Sequence, residues 1–203
     1  MDAAHRWEKE ERTIWSRKGI VFILFCVLLS VLPSGAFAQS EPVTTGSSAI
    51  DTAYPPVPKA YFNDYAGVTS VKTQGVLNTQ LADFDKQTQN QVVVAIFKRK
   101  DSAATLADYC TGMFNKWGVG QKGKNNGVIL FVFMDDHLLR ISTGLGMDKI
   151  LPDDECEQII DRVVIGKMRK RQYDVAFSSA VDAILDAILI KQGPKTDGSS
   201  SGR

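Results

Sequence analysis

Carboxylates that could hold a metal ion lie in two short segments of the sequence. Asp64 stands in the turn-like segment 63–67, and Asp135 and Asp136 follow an apolar run that ends at Met134. Carboxylates and the carbonyl groups of turns are the hard oxygen ligands that Ca²⁺ and Mg²⁺ prefer. We therefore expect a divalent cation, Ca²⁺ or Mg²⁺, to be bound by Asp64, Asp135 and Asp136.

The same region contains the residues that could take part in catalysis. A bound cation could clamp phosphate oxygens and activate water, and Lys98 or Arg99 could neutralise the anion. The candidate catalytic residues are Asp64, Asp136, His137 and Lys98. The simpler alternative is that Asp135 and Asp136 only shape a hairpin turn, which acidic residues do well, and that His137 is a solvated surface residue.

A second, weaker group of polar residues belongs to the glycine-rich loop 118–127 and to a later glycine turn. Its members are Asn125, Asn126 and Asp148. Glycine loops can cradle anions, but this loop lacks the GxxxxGK[ST] spacing of a phosphate-binding loop. Asn-Gly is also a common turn dipeptide, so a purely structural role remains the alternative.

Composition and missing motifs exclude several function classes. The net charge is +1 over 203 residues, without the concentrated basic face of a nucleic-acid-binding protein. The sequence has no CxxC, HExxH or GxSxG motif and only two histidines, so a zinc enzyme or a Ser-His-Asp hydrolase has no support. We expect a monomer with no organic cofactor.

The elements that must position these residues follow from hydrophobic periodicity. Strands are predicted at 91–97 and 128–134, with a second hairpin strand at 138–143. Helices are predicted at about 70–88, from Ser102 to Trp117, from Pro152 onwards with Cys156, Ile159, Ile160, Val163 and Met168 buried, and at about 173–190. This order predicts a compact α/β sandwich, with a mixed sheet of three to four strands flanked by four or more helices.

The predicted topology explains why the three aspartates should meet. A helix between two strands makes a βαβ unit, so the strands at 91–97 and 128–134 should be parallel. The helix at 70–88 runs antiparallel to the strand that follows it, which places Asp64 near the carboxyl end of that strand. Asp135 and Asp136 leave the parallel neighbour at the same edge, where α/β sheets favour ligands. Asn125, Asn126 and Asp148 should lie at the opposite edge.

The termini suggest an exported protein. Residues 1–38 have basic residues, a short apolar run and an Ala-x-Ala pattern, which predict a signal peptide cleaved near Ala38 and a periplasmic or secreted product. An uncleaved anchor at 20–32 is the alternative. We expect a flexible linker at 39–60, a domain at 61–191 and a disordered tail at 192–203. An oxidising compartment permits a Cys110–Cys156 disulfide, although both cysteines also suit buried free thiols.

Several motifs together resemble the TPM domain family, over roughly residues 61–190. They are NDYAGV (63–68), QVVVAIF (91–97), WGVGQKGKNNGVIL (117–130), DDHLLRISTGLGMD (135–148) and LPDDE (151–155). The resemblance implies a compact α/β sandwich that is exported or membrane-anchored. It also implies Ca²⁺ or Mg²⁺ binding, and it brings in the acid phosphatase activity attributed to the plant member of the family.

The match to the family pattern is incomplete where chemistry would occur. Asn125 stands where the family usually has Asp, His137 replaces an Arg, Asp148 replaces a Glu and Leu145 replaces an aromatic residue. The resemblance therefore favours a non-enzymatic envelope module that binds a divalent cation and a membrane or envelope protein, and that aids assembly or repair of membrane complexes. A metal-assisted acid phosphatase is the alternative.

Overall fold

The computed structural model describes residues 54–192, which place helices on both faces of a four-stranded mixed sheet. Strands β1 (Phe62–Asp64), β2 (Gln91–Phe97) and β3 (Gly127–Phe133) are parallel, and β4 (Leu138–Thr143) pairs antiparallel with β3. The strands lie in the order β1-β2-β3-β4. The predicted α/β class and the parallel pairing of β2 with β3 are confirmed. β1 is an additional strand that the hydrophobic pattern did not indicate.

Two of the five helices in residues 54–192 begin at a residue whose side chain caps them. The five helices are α1 (Val71–Thr88), α2 (Leu106–Trp117), α3 (Asp153–Ile159), α4 (Gly166–Arg169) and α5 (Tyr173–Gln192), with a 3₁₀ turn at Leu145–Met147. The Ser70 hydroxyl accepts a hydrogen bond from the Thr73 amide at the start of α1, and Thr105 does the same for Asp108 at the start of α2. The predicted start of α2 at Ser102 was therefore three residues too early.

Each face of the sheet has its own hydrophobic core. Helices α1, α3, α4 and α5 cover one face, and α2 covers the other. Successive side chains of a strand point to opposite faces, so β3 is buried along its whole length, with Leu130 in the first core and Phe131 in the second. This burial explains why the sequence of β3 is an uninterrupted apolar run.

A π-helical segment at Ile160–Ile165 joins α3 to α4. The regular helical pattern predicted that Val163 would be buried, but Val164 is fully buried and Val163 is only partly so. A π turn contains one more residue than an α turn, and this extra residue moves the buried position along by one. The shift allows Met168 to reach the core in α4.

The segment 54–60, which belongs to the predicted linker, packs against α2. The Trp117 indole donates a hydrogen bond to the Pro55 carbonyl at 3.0 Å, and the Lys116 ammonium donates one to the Tyr54 carbonyl at 3.1 Å. The Tyr54 ring lies over Gly112, where an added Cβ would be 1.9 Å from the Tyr54 hydroxyl oxygen. The absence of a side chain at position 112 is what admits the ring.

This contact predicts that Gly112→Ala will release the 54–60 segment without unfolding the domain. Alanine favours a helix over glycine by about 1 kcal/mol, which offsets part of the lost packing, but the Tyr54 ring must move. We expect faster tryptic cleavage after Lys59. Gly75→Ala in α1, where a Cβ meets nothing within 4 Å, is the matched control and should leave the cleavage rate unchanged. Equal rates in both variants would contradict the proposed docking.

The predicted signal peptide at 1–38, the alternative anchor at 20–32, most of the linker and the tail beyond Gln192 lie outside the described residues. Within residues 54–192, no helix combines the length and the apolar character needed to cross a bilayer.

Candidate functional site

Asp64 lies at the end of β1, and its carboxylate organises the turn that leads to α1. Oδ1 accepts hydrogen bonds from the amides of Ala66 (3.1 Å) and Gly67 (2.8 Å). Oδ2 accepts from the amides of Val68 (2.8 Å) and Thr69 (2.7 Å) and from the Thr69 hydroxyl (2.7 Å). A carboxylate offers about four lone-pair positions, and five donors occupy them here. Asp64 therefore has no oxygen left for a metal ion.

The two aspartates of the hairpin tip hold that tip against the turn after β2. The Asp135 carboxylate faces the Arg99 guanidinium at 3.4 Å, with both side chains more than half exposed. The Asp136 carboxylate accepts a hydrogen bond from the Lys100 amide at 2.5 Å. His137 adopts a left-handed conformation, with φ of +57°, and completes the turn. These contacts support a structural role for the hairpin tip.

The predicted cation site at Asp64, Asp135 and Asp136 lacks a suitable donor set. The residues do share the carboxyl-end edge of the parallel strands, but β2 lies between β1 and β3, so their backbones are separated by two strand spacings, roughly 9–10 Å. Within residues 54–192, no three acidic, histidine or cysteine side chains lie close enough to share an ion. Together with the saturation of Asp64, this separation shows that these residues do not fit a Ca²⁺ or Mg²⁺ ion. The candidate catalytic residues lie at this same edge of the sheet, at or just after the carboxyl ends of β1, β2 and β3. They are Asp64, Asp136, His137 and Lys98.

The second predicted group divides into one structural residue and two that face a cleft. Asn126 is buried: its Oδ1 accepts from the Gln121 amide at 2.8 Å, and its Nδ2 donates to the Gln89 carbonyl. Asn126 thus ties the glycine loop to the end of α1 and is not available as a ligand. Asn125 and Asp148 are exposed and line a common cleft.

Close backbone contacts between the glycine loop and the turn after β4 form one end of this cleft. The Gly146 amide donates a hydrogen bond to the Asn125 carbonyl at 3.0 Å, and the Gly144 amide donates to the Gly127 carbonyl at 2.9 Å. A Cβ at Gly144 would lie 2.2 Å from the Asn125 carbonyl oxygen, and one at Gly146 would lie 2.1 Å from the Lys124 carbonyl oxygen. Only glycine allows the two loops to approach this closely.

The cleft has a volume of about 440 Å³ and lies between α2, β4 and the two loops. Small-molecule sites in proteins usually measure roughly 300–1,000 Å³, so the cleft can hold a ligand of modest size. Its lining residues are Thr111, Phe114, Asn115, Val119, Asn125, Arg140, Ser142, Thr143, Gly144, Leu145, Asp148 and Asp153.

Two donors on β4 are buried in the wall of the cleft without a partner. Ser142 is 8% exposed, and neither its Oγ nor the Nε of Arg140 forms a hydrogen bond with any of residues 54–192. Leaving a buried polar group unpaired costs about 1–3 kcal/mol. Arg140 and Ser142 are two positions apart, so their side chains leave the same face of the strand. This pair is the strongest indication of a ligand site in the described part of the chain.

Carboxylates at the rim of the cleft complement the buried donors. The side chains of Asp148 and Asp153 are exposed, and neither forms a hydrogen bond or an ion pair within residues 54–192. Leu145, beside them, is 79% exposed, although it is a large apolar residue. The cleft thus combines one cationic side chain, two free carboxylates, several hydroxyl and amide groups, and an apolar border.

Sequence reasoning did not single out Arg140 and Ser142 as site residues. They alternate with Leu139 and Ile141 along β4, and alternation alone does not show whether a helix covers the polar face. The structure places α2 over it. The sequence signal that could have indicated this site is an edge strand with alternating polar residues, followed directly by a glycine turn.

The two cysteines of the described domain are free thiols. Cys110 belongs to the core under α2 and Cys156 to the core on the opposite face of the sheet, so the alternative of a disulfide between them is wrong. The pKa of each thiol is raised to about 12, mainly by burial, and for Cys156 the carboxylates of Asp153 and Glu155 contribute to the rise. Neither thiol can serve as a nucleophile near neutral pH.

These raised pKa values predict slow alkylation and a loss of stability in alkali. At pH 8.5, iodoacetamide should label Cys110 and Cys156 only after unfolding in urea, as read by peptide mapping. Because the folded-state pKa lies above the reference value of 9.0, the thiols stabilise the fold below pH 9. That contribution should be lost as the pH rises towards 12. Rapid labelling of the folded protein would contradict the burial of the thiols.

The cleft therefore belongs to a small α/β domain with a ligand-sized site at the glycine-loop edge of its sheet. This chain belongs to the TPM domain family, since the family model matches residues 62–187. The match confirms the resemblance that the motifs indicated.

Several solved structures are similar to this chain. The N-terminal domain of a P. gingivalis protein is 27% identical, with a TM-score of 0.58 over 64% of this chain and 82% of that one. The N-terminal domain of a Corynebacterium glutamicum protein is 14% identical, with a TM-score of 0.50 over 74% and 92%. The BA42 protein of Bizionia argentinensis is 14% identical, with a TM-score of 0.49 over 59% and 80%. No curated protein matches the chain.

Proposed function

We propose that this protein is a non-enzymatic binding module of the cell envelope, with the cleft beside β4 as its ligand site. The observation that carries this proposal is the pair of buried, unpartnered donors, Arg140 Nε and Ser142 Oγ, in the wall of a ligand-sized cleft. The envelope location rests on the signal-peptide pattern of residues 1–38, and a role in assembly or repair of membrane complexes rests on the family.

The absence of an activated nucleophile favours binding over catalysis. None of the hydroxyl groups that line the cleft, on Thr111, Ser142 and Thr143, is hydrogen-bonded to a histidine, a lysine or a carboxylate in the described domain. An activated hydroxyl nucleophile requires such a base within about 2.6–3.2 Å. The expected activity is therefore reversible binding.

Carboxylates at the rim of the cleft support a proposal for the divalent cation that the family resemblance implies. The carboxylates of Asp148 and Asp153 have no hydrogen-bond or ion-pair partner among residues 54–192, and the Asn125 amide lies in the same cleft. Mg²⁺ is commonly held by one or two carboxylates while it keeps several waters, and Ca²⁺ accepts mixed carboxylate, amide and water ligands. We propose that Ca²⁺ or Mg²⁺ is bound there.

The cation proposal predicts a stability increase that depends on the rim carboxylates. Calcium at a hundredfold excess over its Kd should add about 2.7 kcal/mol to the free energy of unfolding. Asp148→Asn and Asp153→Asn should abolish most of this increase. Asp154→Asn, one residue from the rim, and Asp136→Asn at the hairpin tip are the controls and should retain it. Loss of the increase in Asp136→Asn alone would place the cation at the hairpin tip instead.

A metal-assisted acid phosphatase is the second candidate, because a guanidinium and two carboxylates in one cleft could hold a phosphate and a cation together. The deciding measurement is hydrolysis of p-nitrophenyl phosphate by the full chain at acidic pH, with and without Ca²⁺ or Mg²⁺. We expect no turnover. Divalent-dependent turnover that is lost in Arg140→Gln, with an unchanged melting temperature, would establish the phosphatase and overturn the binding module.

A further inference from the structure

The cleft contains charges of both signs that do not neutralise each other. Arg140, Asp148 and Asp153 all line it, yet the Arg140 side chain forms no hydrogen bond or ion pair with any residue between 54 and 192. Opposite charges that share a cleft without contact leave room for a ligand that contacts both. We therefore expect the affinity of a ligand to depend on where its charges lie as well as on its net charge.

The position of each charge indicates which part of a ligand it would contact. Arg140 Nε and Ser142 Oγ are buried donors on the wall formed by β4, and donors of this kind match the oxygens of a carboxylate. Asp148 and Asp153 are exposed at the rim, where they can accept hydrogen bonds from an ammonium group. Phe114, Val119 and Leu145 supply the apolar part of the lining.

The charge balance disfavours an isolated dianion. One guanidinium faces two carboxylates, so a doubly charged phosphate would enter a cleft that already has an excess of negative charge. A zwitterion adds no net charge and places each of its ends beside an opposite charge. Desolvated polar groups bind well only where each finds a partner, and a zwitterion provides partners at both places.

We propose that the cleft binds a zwitterionic α-amino acid or short peptide. Its carboxylate accepts hydrogen bonds from Arg140 Nε and Ser142 Oγ, its ammonium group lies beside Asp148 and Asp153, and an apolar side chain packs against Phe114 and Leu145. This inference rests on the proposed binding function and names the chemical class of the ligand. The rim carboxylates accept either the ammonium group or the divalent cation, so the two should compete.

The direct test is calorimetric titration of the full chain with L-leucine and with the dipeptide Gly-Leu, in buffer without divalent ions. We expect saturable binding of at least one of them. N-acetyl-Gly-Leu and Gly-Leu amide each lack one charge and should bind about tenfold more weakly or worse, as expected for loss of a hydrogen bond to a charged group. Inorganic phosphate should also bind more weakly. The ratio of the leucine and dipeptide affinities distinguishes the free amino acid from the peptide.

Single substitutions test which side chains bind the carboxylate of the ligand and which bind its ammonium group. Ser142→Ala and Arg140→Gln should weaken Gly-Leu binding about tenfold or more while leaving the affinity for Ca²⁺ unchanged. Asp148→Asn should weaken both. Arg99→Gln, at the other end of the sheet, is the charge-matched control and should change neither. Because Ser142→Ala removes an unpartnered buried hydroxyl, its melting temperature should stay the same or rise, which shows that any lost affinity does not come from unfolding.

Each possible result supports or overturns the inference. No saturable binding of leucine or Gly-Leu, or equal binding of the capped dipeptides, overturns it and leaves Arg140 Nε and Ser142 Oγ without an assigned ligand. If calcium still raises the melting temperature in that case, the proposed binding function stands without the zwitterionic ligand. Turnover of p-nitrophenyl phosphate would instead overturn the proposed function itself.

Discussion

Replacement of Gly127 by alanine is expected to destabilise the domain by about 3 kcal/mol or more, at the upper end of the effect of overpacking. A Cβ at this position would lie 2.2 Å from the Val119 carbonyl oxygen and 2.9 Å from the Gly120 amide nitrogen. Both are backbone atoms, so no side-chain rotation can relieve the overlap. The glycine loop must move away from β3, which also weakens the hydrogen bond from the Gly144 amide to the Gly127 carbonyl.

Urea unfolding of the Gly127→Ala variant measures this effect. With a slope of about 1–3 kcal/mol per molar urea, the midpoint should fall by about 1 M or more. Gly166→Ala is the matched control, because a Cβ there meets nothing within 4 Å and the residue lies in α4. It should be neutral or slightly stabilising. Equal midpoints for the two variants would show that the loop tolerates the methyl group.

Asp64→Ala is expected to cost about 3 kcal/mol of stability, because it removes every acceptor from a turn that supplies five donors. Asp64→Asn should be nearly as harmful. The asparagine carbonyl can replace one carboxylate oxygen, but its NH₂ group would then face the amides of Val68 and Thr69, which are also donors. Thermal unfolding of both variants gives the measurement.

The Asp64 variants also separate a structural role from metal binding. Were Asp64 a cation ligand, Asp64→Asn would lose calcium-dependent stabilisation while the free energy of unfolding in chelator stayed close to that of the parent protein. The turn geometry predicts the reverse: lower stability in chelator, with the calcium-dependent increase preserved. Asp148→Asn should give the opposite pair of results, so the two variants form a matched comparison.

Much of the fold could be predicted because its main elements carry strong periodic signals. Strand β2 was placed at its observed bounds, and β3 was displaced by one residue. In contrast, β1 has only three residues, and its middle residue is Asn63, whose side chain donates hydrogen bonds to the Ala60 and Val94 carbonyls. A strand this short and polar has no hydrophobic pattern of its own, and it forms because it pairs with β2.

The candidate site was harder to predict, because residue type does not show how many donors a carboxylate already serves. Asp64 and Asp148 are the same residue type, but the carboxylate of Asp64 is saturated by its own turn, whereas that of Asp148 has no partner among residues 54–192. Likewise, Arg140 reads as a solvated residue until α2 is placed over β4. Sequence reasoning assigned the polar residues to two edges of the sheet, but the donors that each carboxylate serves depend on tertiary contacts.

Because α5 follows all four strands in the described sequence, its position affects how the domain folds. Seven residues of this helix are buried against the first core: Ala176, Phe177, Ala180, Val181, Ile184, Leu185 and Ile188. Strands that neighbour each other in the sheet are also consecutive in the chain, so they can associate as synthesis proceeds from the amino terminus. Helix α5 is nevertheless synthesised after all four strands. A nascent or truncated chain that stops before Tyr173 would present an uncovered apolar surface, and such a fragment should aggregate or require a chaperone.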